Sequence, residues 1–475
     1  MTLALFSIDE FTKVTGARLH YGERESLIEG VTSDSRRIAS GDMFVAIAGE
    51  RVDGHSFVPQ AFAKGARAAL IAHLSPEIDA ALSPGRSAII CGDPVISTGA
   101  MARHYRQKFP VRVVGVTGSV GKTTTKDMIA SVLGTTFTTL KNEGNLNTEI
   151  GVPLTLFRLR KEHQVAVIEM AMRGSGQIAY LAGLSGPSVG VITNIGETHL
   201  EVMGSVENTA RAKAELLAVL PPDGTAVLNR DNPWVVKVGE RHPGNKVWYS
   251  VQEHADVCAT DIESLSDKGM EFTVVTGQGM LRMSEPLPGY HNVSNALASV
   301  ALGLVFGVPL ERIRAGLLDL VATGARSEVI DMGGFRLIND TYNASPASTR
   351  AALSVLKDIA KGRRSVAVLG NMLELGAYTR LGHVEVGESI VKHRVDVLLA
   401  VGDLAQDVAR AARKMGHKNA LLAQDNEEAA ATLLDLVRPG DVVLVKGSRG
   451  VHMEDIVLRL KAHFGAGGKG HELHI

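Results

Sequence analysis

The chain reads as an α/β protein of three domains. These are a mixed α/β N-terminal domain (1–107), a central domain with a largely parallel sheet (108–325), and a further α/β domain (326–475). Three observations carry that reading. Its 475 residues amount to about three domains on the usual size scale. From residue 111 onward, short β-branched runs alternate with helix-length stretches, the pattern of strands joined by crossover helices. Before that point the strands are short and polar turns crowd between them.

The bulk composition narrows the function classes. Lys and Arg (50) nearly cancel Asp and Glu (51), so nothing points to nucleic acid or a charged membrane surface, and any phosphate binding must be local. A hydrophobic content of 45% suits a packed soluble enzyme and not a disordered chain. Cys91 and Cys258 form no C-x-x-C, so neither a disulfide framework nor a zinc knuckle is suggested. The start, MTLALFSIDEFTK, lacks a basic segment and meets Asp9 and Glu10 too early for a signal peptide. No apolar run reaches the ~20 residues of a membrane span. The expectation is a monomer in a reduced cytoplasm.

In the N-terminal domain the informative stretch is VTSDSRRIASGDMFVAIAGERVDGHSF, 31–57. Ser33, Asp34, Ser35 and Arg36 crowd onto one turn, Gly41-Asp42 makes a second, and Asp53-Gly54-His55 a third. Two readings stand: polar turns capping a small sheet, or a site for a polar, ring-bearing substrate group.

The central domain opens with the apolar run VRVVGV (111–116), which breaks into TGSVGKTTTK (117–126). This is the strand–loop–helix form of a phosphate cradle. Gly118 and Gly121 let the loop curl, so that its N–H groups through Ser119 and Val120 point at an anion. The helix beginning near Lys122 adds its positive dipole end. Lys122 can reach terminal phosphates, the Thr123 hydroxyl can take a place on Mg²⁺, and Thr124 completes the loop. Val116 stands where the general Walker pattern has glycine, so the match is to the narrower T-G-x-x-G-K-T form. The alternative is a glycine turn opening an ordinary helix.

Beyond it come TFTTL (136–140), the turn-rich NEGNLNTEIGVP (142–153) and the buried-type run VAVI ending at Glu169. VGVIT (189–193) leads into NIGETHLEVMG, which places His199 in the loop after that strand. Ligands of open parallel sheets collect beyond the strands' carboxyl ends, so the P-loop, Glu169 and His199 are expected to converge on one edge. Glu169 is a hard oxygen ligand where a P-loop enzyme often keeps Asp. Otherwise Glu169 caps a turn and His199 is a plain loop histidine. The helix SVENTARAKAELLAVL (205–220) puts Lys213 on the apolar stripe of Val206, Ala210, Leu217 and Leu220. It either snorkels to the edge or, desolvated, becomes a neutral amine able to add CO₂ as a carbamate. LNRDNP (228–233) carries Asn229 and Asp231 at a strand tip. The helix YHNVSNALASVALGLVFGV (290–308) carries Asn292 and Asn295, residues that cap a helix start or present amides to a base edge. Arg326 falls at the boundary.

The last domain begins with a hairpin, EVIDM and FRLIND, around Gly333-Gly334. After Asp340, Tyr342 and Asn343, the strands SVAVLG, DVLLAVG, ALLA and DVVLVKG alternate with helices, without G-x-G-x-x-G. GNMLELG (370–376) and VKGSRGVHME (445–454) lie at strand ends, where such sheets bind ligands. The tail GAGGKGHELHI is expected to be mobile.

Taken together, TGSVGKTTTK, NEGNLNTEIGVP, strand-end Glu169, TNIGETHLEVMG, AKAEL around Lys213, LNRDNP and GYHNVSNALA resemble the Mur ligase family over nearly the whole chain. These are the ATP-dependent amide-forming enzymes of peptidoglycan precursor synthesis. The resemblance implies an N-terminal UDP-sugar domain, a central ATPase and a Rossmann-like C-terminal domain. It implies one Mg²⁺ on Thr123 and Glu169, and a second held with the help of His199 and a carbamylated Lys213. Asn229, Asp231, Asn292, Asn295 and Arg326 would touch ATP. Val120 departs from the asparagine often found there. DSRRIASGDMFVAIAG…DGHSF resembles the members that read uridine, through Ser33, Asp34, Ser35, Arg36, Asp53 and His55, with Asn145 also at the substrate. DTYNASPAS, LGNMLELG and KGSRGVHME look like the members that add D-alanyl-D-alanine to UDP-N-acetylmuramoyl-tripeptide. Asp340, Tyr342, Asn343, Lys446, Ser448 and Arg449 would then meet the dipeptide. The alternatives are a ligase adding a diamino acid to the dipeptide precursor, whose D-N-P-R motif is matched only by DNPW (231–234), and a regulatory P-loop ATPase.

Overall fold

The computed structural model describes residues 4–49, 52–320 and 324–465, so the tail from residue 466 lies outside the described residues. Besides a two-stranded pairing of Phe6–Ser7 with Leu27–Ile28, three larger sheets follow one another along the chain, each covered by helices. The five-stranded N-terminal sheet runs Arg18–Tyr21, Ser87–Ile90, Ala68–Ile71, Asp42–Val45, Gly30–Thr32, parallel except for its first pairing. The helix Pro94–Gln107 leads out of it, started by Pro94 in its first turn and by the Asp93 carboxylate, which accepts from the amides of Val95 and Ile96. Its Met101, Ala102 and Tyr105 enter a core that holds Phe6 and Phe11 on one side and Phe157, Ile168 and Leu181 on the other. The expected boundary at 107/108 is therefore crossed by one continuous core, which fixes the first two units to each other.

The nine-stranded central sheet is ordered Gly279–Glu285, Met270–Thr276, Val257–Ser264, Asn245–Ser250, Thr225–Asn229, Val189–Ile192, Arg112–Thr117, Val165–Glu169, Thr139–Lys141. Seven strands are parallel and the last hairpin is antiparallel, as a largely parallel sheet requires. The inner strands are buried on both faces, which is why they read as unbroken Val/Ile/Ala runs. The hairpin carries no such run. It buries alternate residues (Met270, Phe272, Val274) against a core that includes the helix Tyr290–Val305, and its other face is polar. The P-loop strand Arg112–Thr117 lies between strands reached by opposite crossings of the chain, at a topological switch point.

The C-terminal sheet is ordered Glu328–Asp331, Arg336–Asp340, Val442–Lys446, Ser365–Gly370, Val397–Val401, Ala420–Ala423, parallel after the opening hairpin. Its two cores draw only on residues from 329 onward. Among the described residues, polar contacts link this unit to the central one: an ion pair from Arg336 to Asp267 at 2.9 Å and a hydrogen bond between His199 and Glu374 at 2.6 Å. An interface of this polar kind permits domain motion. No helix among the described residues is long and apolar enough to cross a membrane.

Candidate active site

The P-loop helix Lys122–Gly134 starts at Gly121, at φ +82 and without a side-chain cap, so its first N–H groups have no partner of their own. A Cβ at Gly121 would stand 2.6 Å from Asn295 Oδ1, which also accepts from Thr125 Oγ1 at 3.1 Å. Asn295 thus presses the loop into shape from behind, while its own amide donates to Asn292 Oδ1. Asn292 in turn donates to the carbonyl of Pro288.

One expectation is corrected here. The amides of Ser119 and Val120, expected to face an anion, both donate to Asn194 Oδ1 at 3.1 and 2.8 Å. The Val120 carbonyl accepts from Thr193 Oγ1, and Ser119 Oγ takes the Gly196 amide and meets Thr198 Oγ1. These two residues brace the loop against the strand-end segment 193–198, and the amides from Gly121 onward are left to form the cradle. In the sequence the one mark of Asn194 is its position directly after the VGVIT run.

Glu169 is 1% exposed at its strand end, with Thr123 Oγ1 donating to one carboxylate oxygen and Asn147 Nδ2 to the other, each at 2.7 Å. Asn145 is exposed, so of the two asparagines in NLN it is Asn147 that reaches the site. A buried carboxylate flanked by a hydroxyl and an amide, with no ion pair among the described residues, suits a hard cation such as Mg²⁺.

Lys213 does not snorkel. It is 2% exposed, and its Nζ donates to the Gly118 carbonyl at 2.9 Å. The Lys122 ammonium donates to that same carbonyl, also at 2.9 Å. Burial, and then the neighbouring Lys122 charge, hold the Lys213 amine well below its ordinary value. Desolvation also lowers Lys122, an effect that Glu169 opposes and Arg326 adds to. His199 stands at the edge of this site with Nδ1 on Glu374 of the C-terminal unit.

The remaining expected residues fall into three groups. Asn229 donates to Thr193 O, and Asp231 accepts from Ser250 Oγ and from the Val251 amide at 2.8 Å, so both shape the strand tips beside the P-loop. Arg326 lies over the Tyr342 ring at 4.0 Å with Arg449 at 5.9 Å. Asp340 and Lys446, paired in register on neighbouring strands, form a buried ion pair of 2.6 Å. Lys446 also donates to Asn343 O, Asn343 Oδ1 accepts from the Ala344 and Arg449 amides, and Ser448 bonds Ala344 O. His291 faces this pair from the central helix, pushed by burial down to about 4. A cavity of about 300 Å³ lies between Ser119, Val120, the 194–198 segment, Trp234 and the C-terminal Ser345 and Ala347.

In the N-terminal unit Asp34 pairs with the exposed Arg36, whose hydrogen bonds hold its carboxyl down to about 2. Ser35 Oγ bonds Gln60, and Ser33 lines a small cleft facing Glu149, Ile150 and Leu154. His55 is corrected from a ligand-facing role. Its Nδ1 bonds Asp53 at 2.6 Å, its Nε2 accepts the Ala72 amide and its ring stacks on His73, so it builds the turn.

Comparison with known proteins agrees with this geometry. Family models match along the chain: Mur ligase family, catalytic domain, over residues 27–104; Mur ligase middle domain over 116–303; and Mur ligase, glutamate ligase domain over 325–449. The chain is 38% identical to the UDP-N-acetylmuramoyl-tripeptide--D-alanyl-D-alanine ligase of Escherichia coli, covering 91% of this chain and 94% of that protein. The crystal structure of MurF from Acinetobacter baumannii superposes with a TM-score of 0.85 at 32% identity, covering 96% of this chain and 99% of that one. MurF ligase from Thermotoga maritima in complex with ADP gives a TM-score of 0.79 at 28% identity, covering 92% and 98%. With the P-loop, Glu169 and Lys213 gathered on one sheet edge and matches along nearly its full length, the chain belongs to the Mur ligase family.

Proposed function

We propose that this protein is an ATP-dependent ligase that joins D-alanyl-D-alanine to UDP-N-acetylmuramoyl-tripeptide through an acyl phosphate, releasing ADP and phosphate. The observation that carries it is the convergence of Lys122, Lys213 and the Thr123–Glu169 pair around the Gly118–Gly121 loop. The name of the Escherichia coli relative supplies the substrates, and the ADP in the Thermotoga maritima structure supports the nucleotide. We place it in the cytoplasm, as a monomer.

The chemical problem is that two anions must meet. A carboxylate and a phosphate oxygen about 4 Å apart repel by roughly 4 kcal/mol at an effective dielectric of about 20. Lys122 and the uncapped amides at the helix start lower that barrier without moving a proton. Mg²⁺ on Thr123 and Glu169, and a second ion near His199 and Lys213, would supply further positive charge there. Lys213 would act after its neutral amine adds CO₂, a step that forms an N–C bond and releases a proton. The carbamate would set a negative group beside the Lys122 ammonium in place of the neutral amine and would offer oxygen ligands. The tripeptide carboxylate then takes the γ-phosphoryl group, the dipeptide amine attacks the activated carbonyl, and the C–O bond breaks as phosphate leaves.

In this reading residues 1–107 hold the uridine end through Ser33, Asp34 and Ser35, and residues 108–325 hold ATP on the loop that Asn295 and Asn292 back, with Arg326. Residues 326–475 bring the dipeptide, with Arg449 and the Asp340–Asn343–Lys446–Ser448 network at its binding face. Closure of the polar interface keeps the acyl phosphate from water. The test is phosphate release with each UDP-muramoyl-peptide, with D-alanyl-D-alanine or a diamino acid supplied. Release that requires the tripeptide and D-alanyl-D-alanine supports the assignment. Release with the dipeptide precursor and a diamino acid moves the chain to another member of the family. Turnover indifferent to any acceptor makes it a regulatory ATPase.

A further inference from the structure

We propose that Glu374, carried by the C-terminal domain, is a positioning residue that fixes the His199 imidazole through Nδ1, so that docking of that domain readies the other ring nitrogen for the second ion. The inference rests on the ligase reading above, in which His199 serves the second Mg²⁺. Glu374 Oε2 lies 2.6 Å from His199 Nδ1. A carboxylate on one imidazole nitrogen fixes the proton there and leaves the other nitrogen's lone pair free for an ion. Among the described residues, His199 Nε2 has no hydrogen-bond partner.

The backbone gives the second line of argument. His199 and Glu374 both sit in the left-handed region, at φ 56 and 62, although neither is glycine. Such conformations persist where the surroundings over-determine them. Here the surroundings are each other's segments. The Glu201 amide donates to Glu374 O at 3.2 Å, and Arg173 approaches Glu374 Oε1 at 3.9 Å. Gly376, at φ 55, packs so closely that a Cβ there would lie 2.9 Å from Glu201 Cα. The turn at 374–376 is moulded onto the 199–201 segment, and 175 residues of sequence separate the two paired side chains. With side chains 25% and 42% exposed, the pair stays open to an ion from solvent. An ordinary surface ion pair needs neither the strained backbone nor the close fit.

The experiment counts Mn²⁺ bound to the full chain in the presence of ADP, by the electron paramagnetic resonance of the free ion. Wild type is expected to hold two ions. Glu374→Ala and Glu374→Asn, the latter tolerant of the left-handed backbone but too short to reach, should weaken one of the two by about 10–100-fold. Glu374→Gln keeps an acceptor oxygen at the same reach and should recover most of that affinity. His199→Ala should weaken the same ion, and Glu374→Ala added to it should change nothing more. Thermal unfolding of each variant checks that it is folded. Isotherms of Glu374→Ala and Glu374→Asn that superpose on a two-ion wild type overturn this inference and leave the ligase reading standing. A wild type that binds a single ion overturns the two-metal reading and this inference with it.

Discussion

Replacing Lys213 with methionine is expected to stabilise the central domain while abolishing ligation. The Lys213 amine is sealed from water, and its hydrogen-bond acceptor among the described residues is Gly118 O, which it shares with Lys122 at the same 2.9 Å distance. No carboxylate pairs with it among the described residues. Methionine fills similar volume, leaves Lys122 its acceptor and removes the cost of burying an amine that must give up its proton beside Lys122. The pH dependence gives the magnitude. Because the folded amine is held well below its ordinary value of 10.5, the folded chain binds one proton fewer than the unfolded chain between those two values. Stability of the wild type therefore rises with pH in that window, by about 1.4 kcal/mol per unit. The methionine variant lacks this term. In CO₂-free buffer its advantage over wild type should shrink as the pH rises toward 10.5, by about 1.4 kcal/mol per pH unit, a difference of roughly 3–6 °C in Tm for a domain of this size. Both tryptophans, Trp234 and Trp248, lie in the central domain, so their fluorescence reports its unfolding selectively. Bicarbonate should raise the Tm of the wild type and leave the variant unmoved. An advantage that is constant across the window, or a variant less stable than wild type at the lower pH, refutes the reasoning.

Three further expectations concern the same framework. Lys122→Ala should lower kcat by on the order of 10²–10³ with the fold intact, since it removes one electrostatic contact to the transferring group; retained activity in steady-state kinetics would count against the cradle. Asn194→Ala takes the side-chain acceptor from the Val120 amide and leaves Ser119 only the Asn194 carbonyl at 2.9 Å, a loss of about 1–3 kcal/mol of loop organisation, so ADP affinity by calorimetry should fall by roughly 10-fold or more. Glu285 is 1% exposed with Oε1 unpartnered, and burial raises its carboxyl to about 8 from an ordinary 4.5. The folded chain thus holds an extra proton between those values, and wild-type stability should fall relative to Glu285→Gln by on the order of 4 kcal/mol as pH rises through that range. Urea denaturation near pH 5 and pH 8 checks it, and a constant difference would show that the carboxyl is not desolvated.

What could be read from the residues and what could not separate along a physical line. The cradle, Glu169 and Lys213 announce themselves locally, because a glycine turn after an apolar strand, an acid at a strand end and a lysine on an apolar stripe each violate or mark a short-range pattern. The parallel strands were visible for the same reason: buried on both faces, they must be apolar throughout. The antiparallel hairpin at 270–285 was silent because half of each strand faces water. Partnerships set by tertiary packing left no trace either. Asn147 rather than Asn145 meets Glu169 because of how the 142–150 loop folds back, and two asparagines flanking one leucine cannot be told apart without that fold. The bracing of Ser119 and Val120 by Asn194 joins two strand ends, and the core shared across residue 107 joins helix faces whose apolar stripes look ordinary one at a time.

The central claim is that the tripeptide carboxylate is phosphorylated before the dipeptide amine arrives. It is tested most directly by labelling the terminal carboxylate of the tripeptide with ¹⁸O and analysing the released phosphate by mass spectrometry. An acyl phosphate requires one labelled oxygen to leave with each phosphate when ATP, Mg²⁺ and D-alanyl-D-alanine are all present. Phosphate that emerges without label, while the pentapeptide nucleotide still forms, would contradict the account.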